Sequence, residues 1–419
     1  MAASPSALAP IYWPEQQLQQ PPLTRDWVLA LGATLDAASR SLKPQELPSV
    51  VSVPVADAII AAASKLMHRE PNCLTIDPDP SCNVVLVGDV HGQLHDVLHL
   101  LEISGYPGPN QIYVFNGDYV DRGAWGFETY LLLLAWKILL PHRVFLLRGN
   151  HETKFCTSTY GFENEIMVKY GDQAKHLYRK ILGCFEGHPL AAVIAGCVYM
   201  AHGGLFRHHE VATTKRGKGG KASKRLVGMQ RGTLTLGTLE DLAKARRGVL
   251  DPSGVGSNII PGDVLWSDPA PTPGLTHNVA RGIGLLFGPD CTEEFMEKHK
   301  LKLIVRSHEG PDAREKRDDM ADMEKGYTVD HIVKSGKLIT LFSAPDYPQF
   351  QASSLRYNNK GAYIVLQPPD FSIPKFQVFG AVKPRPQVSP YYDYLSVADS
   401  DEEIDLSSGS DYSGSSDLH

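Results

Sequence analysis

The chain of 419 residues carries 41 Lys and Arg against 47 Asp and Glu, a net charge of −6, with 42% hydrophobic and 21% charged residues. That apolar content supplies a sizeable core and excludes a wholly disordered or fibrous chain. The mild acidity argues against a general nucleic-acid binder.

Residues 1–22, rich in Pro, Gln and Ala, read as a flexible lead-in. Thr24 stands where an N-cap belongs, ahead of Trp27, Val28, Leu31 and Leu35 at helical spacing, and a second helical pattern runs from Ala56 to His68. From Asn83 the texture changes to short apolar runs, each closed by a polar, Gly-containing loop. They are Val84–Val87, Ile112–Phe115, Val144–Leu147, Val198–Ala201, Leu301–Val305 and Leu338–Phe342. Helical patterns follow the first two, at Gln93–Ile103 and Gly126–Leu140. This alternation predicts a layered α/β domain with buried strands and its site at the strand carboxyl ends. The most apolar stretch, Tyr130–Leu140, is too short to span a bilayer and contains Lys137, so it reads as a buried helix.

Two segments break the alternation. Lys215–Arg231 holds seven basic residues, no acidic ones and four glycines, ahead of a helical stretch at Leu239–Ala245. Ser389–His419 holds nine serines, eight acidic residues and no Lys or Arg. The expected organisation is therefore a lead-in with a helix over 1–50 and a catalytic body over 51–383. A basic insertion at about 207–250 interrupts that body, and a disordered acidic, Ser-rich tail fills 384–419. Six dispersed cysteines without a Cys-x-x-Cys pair, no Asn-x-Ser/Thr sequon and no signal-peptide pattern favour a reducing compartment, the nucleus or cytoplasm.

Five strand-end loops carry the chemistry: Gly88-Asp89-Val90-His91-Gly92, Gly117-Asp118-Tyr119-Val120-Asp121-Arg122-Gly123, Gly149-Asn150-His151-Glu152, Ala201-His202-Gly203-Gly204 and Arg306-Ser307-His308-Glu309. Asp, His and Asn supply oxygen and imidazole donors with no thiolate. Such a set suits two close ions of the Mn, Fe or Zn kind more than a closed structural zinc site. Two metals roughly 3.5–4 Å apart can hold a hydroxide between them and clamp phosphate oxygens. A single Gly-Asp after a strand is usually only a turn; five such loops in one chain are not. His95 and His99 follow no strand end and read as helix surface or packing.

These loops closely resemble the metal-dependent serine/threonine phosphoprotein phosphatase family, with its signatures GDxHG, GDxxDRG and GNHE, over roughly Val84 to Leu366. Trp266-Ser267-Asp268-Pro269 and Ser343-Ala344-Pro345-Asp346-Tyr347 also resemble family segments. The run from Asp118 to Trp125, the basic insertion and Pro345-Asp346-Tyr347-Pro348 resemble the plant type-seven branch. The resemblance implies a metallophosphatase-type fold, a central β-sandwich flanked by helices. Asp89 and His91 would hold one metal, Asp118 would bridge, and Asn150, His202 and His308 would hold the other. His151 would be the general acid with Asp121 as its carboxylate partner. Arg122, Arg281 and Tyr347 would meet the phosphate of a phosphoprotein substrate, with Arg306 supporting the site from behind.

The family's usual Asn-Tyr-Cys reads Asp346-Tyr347-Pro348 here, which predicts weak inhibition by toxins of the microcystin and okadaic acid class. Lys215–Arg231 fits a bipartite nuclear signal. The type-seven resemblance also implies a calmodulin target within 215–239, although Gly228, Gly232 and Gly237 weaken a helix there; a solvated loop is the plain alternative. Two rival functions remain at this point: a metallophosphodiesterase or nucleotidase, and a non-catalytic phosphoprotein-binding scaffold.

Overall fold

The computed structural model describes residues 8–14, 23–208, 234–351 and 355–395. The readings of 215–231 as nuclear signal or spacer lie outside the described residues, as does the calmodulin reading of 215–239 except for 234–239. So does the tail beyond 395.

Thr24 accepts from the Trp27 N–H and opens α1 (Arg25–Ser41), as the sequence predicts. Then come α2 (Val53–Met67), β1 (Cys73–Ile76), β2 (Asn83–Val87), α3 (Leu94–Ser104), β3 (Gln111–Phe115), α4 (Gly126–Leu139) and β4 (Val144–Leu146). Helices α5 (Lys154–Thr159), α6 (Phe162–Tyr170) and α7 (Ala174–Phe185) lead into β5 (Ala191–Ile194) and β6 (Val198–Ala201). The second half holds α8 (Leu239–Lys244), α9 (Ile259–Trp266), β7 (Asp268–Pro269), β8 (Leu275–His277), β9 (Leu285–Phe287), α10 (Pro289–His299), β10 (Leu303–Arg306) and α11 (Pro311–Glu315). It closes with β11 (Tyr327–Ile332), β12 (Lys337–Leu341), β13 (Gly361–Gln367) and β14 (Asp370–Phe379).

Two sheets, ordered β1-β5-β6-β10-β12-β11 and β14-β13-β2-β3-β4, face each other. Side-chain alternation explains why both cover apolar residues on two faces. In β2 and β3, Val84, Leu86, Ile112 and Val114 point between the sheets, while Val85, Val87, Tyr113 and Phe115 point outward into the helical layer. In the other sheet Leu303, Val305, Ile339 and Leu341 face inward, and Ile304 and Leu338 face the layer containing α9 and α10. The result is a helix–sheet–sheet–helix sandwich.

Helix α4 is buried along nearly its whole length, and its Lys137 pairs with Glu70 and donates to the Pro141 carbonyl at 2.9 Å. Helix α1 shares one apolar cluster with α4, so the lead-in helix packs into the body. The strand order also brings loops together. β2, β3 and β4 run parallel, as do β6, β10 and β12. A lone parallel bridge between Asp89 and Phe342 joins the two sheets at their carboxyl ends. No helix among the described residues is long and apolar enough to cross a membrane.

One expectation is corrected. The predicted disordered tail begins at 384, but residues 384–395 lie against the body: Arg385 donates to Asp96 at 2.9 Å, and Tyr391 is buried. Acidic, Ser-rich composition dominates the average over 384–419, yet this first stretch carries Arg385 and a tyrosine run that bury well.

Candidate active site

The five loops meet at one end of the sandwich, as the strand order requires. A cavity of about 890 Å3 opens there, lined by His91, Asp118, Arg122, Asn150, His151, Arg281, His308 and Tyr347 among others. Of the remaining sequence-predicted residues, Asp89, Asp121 and His202 lie fully buried behind the cavity wall. All eleven therefore converge on one place.

The loop backbones are held in shapes side-chain-bearing residues rarely adopt. His91, Asp118, Asp121, Arg122 and His308 have φ of 42°, 51°, 69°, 65° and 72°. Five such residues in one site mark strain that the surrounding sandwich must over-determine. Glu152 is the clamp: its carboxylate accepts from the N–H groups of Asp118, Tyr119 and Gly149 at 2.8, 2.9 and 2.9 Å. Burial first, then the Asp118 charge, pushes its carboxyl up to about 7. Gly149 is required sterically, since a Cβ there would stand 2.1 Å from Asp118 Oδ1.

Asp118 is shared by two compact donor groups: His91, Asp118 and His151, and Asp118, His202 and His308. Its Oδ2 lies 3.6 Å from His91 Nε2, 3.3 Å from His202 Nε2 and 3.9 Å from His151 Nε2. Two imidazoles are oriented from behind, His91 Nδ1 against the Val120 carbonyl at 3.1 Å and His202 Nδ1 against the Asn116 carbonyl at 2.8 Å. Each outer nitrogen must carry its proton there, which leaves both Nε2 lone pairs aimed at the cluster. His202 Nε2 then faces Asn150 Oδ1 at 2.7 Å, acceptor against acceptor, and His308 Nε2 is buried without a hydrogen-bond partner. Lone pairs converging in a dry pocket are satisfied by a cation, so the residues present fit metal ions.

The electrostatics agree. Burial, then the neighbouring Asp118 charge, pushes the Asp89 carboxyl up to about 8. Burial opposes charge on His202, but Asp118 and Asp89 outweigh it and raise the ring to about 9, so its Nε2 takes up positive charge, either a proton or a metal cation in its place. Two carboxylates crowded in one dry site call for positive charge between them.

The Asp89 carboxylate accepts from the His308 N–H at 3.1 Å and stands 3.7 Å from His202 Nδ1. His151 Nε2 lies close to His91 and Asp118. Its Nδ1 meets Asp121 Oδ2 at 2.7 Å, and Asp121 Oδ1 accepts from the Phe162 N–H at 2.9 Å. Burial works against a charged His151, yet the Asp118 and Asp121 carboxylates outweigh it and hold the ring above the ordinary histidine value.

The phosphate side of the cavity is built from arginine and tyrosine. Arg122 lies over the Tyr160 ring, its guanidinium carbon 4.3 Å from the centroid. Arg281 pairs through Nε with Asp268, which also takes Arg306 Nη2 at 2.8 Å. Arg306 is fully buried and donates to Gly203 O, Ser267 O and Glu309, so it supports from behind as expected. Tyr347 stacks on His91, centroids 4.9 Å apart. Asp346 turns away from the cavity and pairs with Arg356 Nε at 2.7 Å. His95 proves to be packing, edge-on against Trp125.

Sequence reasoning missed Arg148, fully buried and donating to the Glu152, Val249 and Leu250 carbonyls. It also missed the charged wall formed by Asp312, Lys316, Arg317 and Asp319 around α11. Glu152 had a signal, as the last residue of a strand-end loop; the α11 wall had none.

Sandwich and donor set together define a metallophosphoesterase. Residues 82–312 match the family described as calcineurin-like phosphoesterase. "Serine/threonine-protein phosphatase 7" of Arabidopsis thaliana is 60% identical over 402 residues, 95% of this chain and 96% of that protein. Its "long form homolog" from the same plant is 50% identical over 92% of this chain, which spans 29% of that longer protein. Among solved structures, a protein serine/threonine phosphatase from Saccharomyces cerevisiae aligns with a TM-score of 0.65 at 29% identity, over 88% of this chain and 99% of that one. The chain thus belongs to the calcineurin-like phosphoesterases, in their serine/threonine protein phosphatase branch.

Proposed function

We propose that the chain hydrolyses phosphoserine and phosphothreonine in proteins by direct in-line attack of water, without a covalent enzyme intermediate. The observation carrying this reading is the shared Asp118, standing between two histidine groups beside a His151–Asp121 pair. When bound, a pair of ions of the Mn, Fe or Zn class supplies the charge that ionises water near neutral pH and screens the phosphate. Asp89, His91 and Asp118 would hold one ion, and Asp118, Asn150, His202 and His308 the other.

The chain's own groups do the rest. Arg122 and Arg281 offer planar N–H forks to the phosphate oxygens, a bidentate match. Tyr347, packed on His91, closes the same side. His151 holds a proton at Nε2 and delivers it to the departing serine or threonine oxygen. Asp121 fixes the ring through Nδ1 and favours the charged form. A proton donor suits an alkoxide leaving group, and two arginines suit a monoester dianion over a diester.

The test is metal-dependent phosphate release from a phosphothreonine peptide and from a phosphodiester, with Asp118→Asn as control. Monoester turnover lost in the variant supports the reading. Preference for the diester would favour a phosphodiesterase, and no turnover with metal bound would favour a scaffold.

Two further parts of the proposal rest on sequence. The basic run from Lys215 to Arg231 supports nuclear as well as cytoplasmic residence, and 215–239 supports calmodulin binding. Deleting 215–231 and finding unchanged localisation and calmodulin retention would reduce the insertion to a spacer.

A further inference from the structure

The chain beyond β14 returns to the catalytic end of the sandwich. Arg385 donates to Asp96 Oδ2 at 2.9 Å and to the Pro345 carbonyl at 2.6 Å. Six residues on, the Tyr391 carbonyl accepts from Asn164 Nδ2 at 2.8 Å, and the Tyr391 ring stands 5.7 Å from Lys169 Nζ. Tyr392 then settles against Gly161, where a Cβ would come within 3.0 Å of its Cδ1. Gly161 has φ of 113°, so the turn both needs a glycine and leaves room for the ring.

Tyr392 touches two loops of the site at once. Its ring centroid lies 5.8 Å from the guanidinium carbon of Arg122 and 6.4 Å from the Phe350 ring. Phe350 is three residues past Tyr347, on the loop that closes the cavity. Arg122 is buried in a left-handed turn, with φ of 65° and its N–H donating to the Tyr160 carbonyl at 3.1 Å. Aromatic faces attract a guanidinium through its flat side and leave its in-plane N–H edge for an anion.

We propose that Tyr392 is a positioning residue for Arg122. Together with Tyr160 it holds the guanidinium plane so that the N–H edge meets the phosphate, which makes residues 391–395 a working part of the site. This rests on the reading of Arg122 as a phosphate-binding group.

The test is a double-mutant cycle in the full chain with manganese. It reads kcat and KM on a phosphothreonine peptide and, separately, the calorimetric Kd for inorganic phosphate. Tyr392→Ala is expected to raise KM and the phosphate Kd about tenfold with a smaller effect on kcat, and Tyr392→Phe to restore most of the loss. In the Arg122→Ala background, adding Tyr392→Ala should change either quantity by about twofold or less. Losses that multiply independently, or a Tyr392→Ala protein with unchanged Kd, overturn the proposal. If Arg122→Ala leaves phosphate binding intact, the failure lies in the reading of Arg122 itself. Should the alanine variant not fold, Tyr392→Leu keeps the bulk against Gly161 and removes the aromatic face. The same coupling is expected of it, and absence of coupling refutes the role.

Discussion

The Asp121–His151 pair gives the sharpest test of the chemistry. Asp121 is buried and uses both oxygens as acceptors, one for His151 Nδ1–H at 2.7 Å and one for the Phe162 N–H at 2.9 Å. Asp121→Asn keeps the shape but has one acceptor for two donors, so an N–H faces an NH2 group. It also removes the negative charge that helps hold His151 above the ordinary histidine value. A buried hydrogen bond to a charged group contributes about 1.5–3 kcal/mol, which corresponds to a loss of about tenfold to a hundredfold in kcat. The loss should depend on the leaving group. A phosphothreonine peptide needs its departing alkoxide protonated, whereas a nitrophenyl phosphate expels a stable phenolate unaided. The assay is therefore kcat for both substrates across pH. The raised imidazole keeps its proton below its folded pKa and loses it as pH rises through that value. Removing the carboxylate should accordingly move the high-pH limb to lower pH on the peptide alone. An equal loss on both substrates, with the limb unmoved, would refute His151 as the acid.

Three other changes probe the scaffold. Gly149→Ala should displace the Asp118 loop, since the added Cβ would fall 2.1 Å from Oδ1 and 2.4 Å from the backbone nitrogen; lost metal by elemental analysis and a lowered unfolding midpoint are expected together. Arg306→Met removes one buried cation from Asp268 and Glu309, which keep Arg281, Arg314 and Arg317, and urea unfolding should show a deficit of about 1.5–3 kcal/mol. Lys169→Met strands Glu128 and Glu165, which the ammonium meets at 2.6 and 2.7 Å. Burial already pushes the Glu165 carboxyl up to about 8, so the folded variant should bind more protons than the unfolded chain across the neutral range. Its stability should therefore rise as pH falls from about 7.5 towards about 5.5, and a stability that falls instead would contradict the placement.

What the sequence made legible follows from how local each signal is. Strands buried on both faces leave continuous runs such as Val84–Val87, and their polar ends announce the loops, so the ligand positions could be read directly. Thr24 and the apolar length of α4 were equally local. The partner geometry was not. Asp268 reaches Arg281 across 13 residues and Arg306 across 38, and Arg148 reaches Leu250 across 102, so no motif joins them. The directions in which His91, Asp118 and His308 point depend on φ values of 42° to 72°, which composition does not encode. Residues 384–395 were obscured by averaging: a few anchoring side chains, Arg385 and Tyr391 among them, decide whether a polar segment docks.

The strand order that gathers the loops also sets when the centre can come into being. Asp89 and His91 leave the ribosome early, but the N–H that meets the Asp89 carboxylate belongs to His308, 219 residues later. β2 and β3 can pair as soon as they emerge, while the sheet facing them lacks β10 and β12 until most of the chain has been made. A nascent chain short of 308 has one incomplete set of donors and an open apolar face. The two sheets and the five loops at their carboxyl ends are thus complete only once β10, β12 and β13 have all been made.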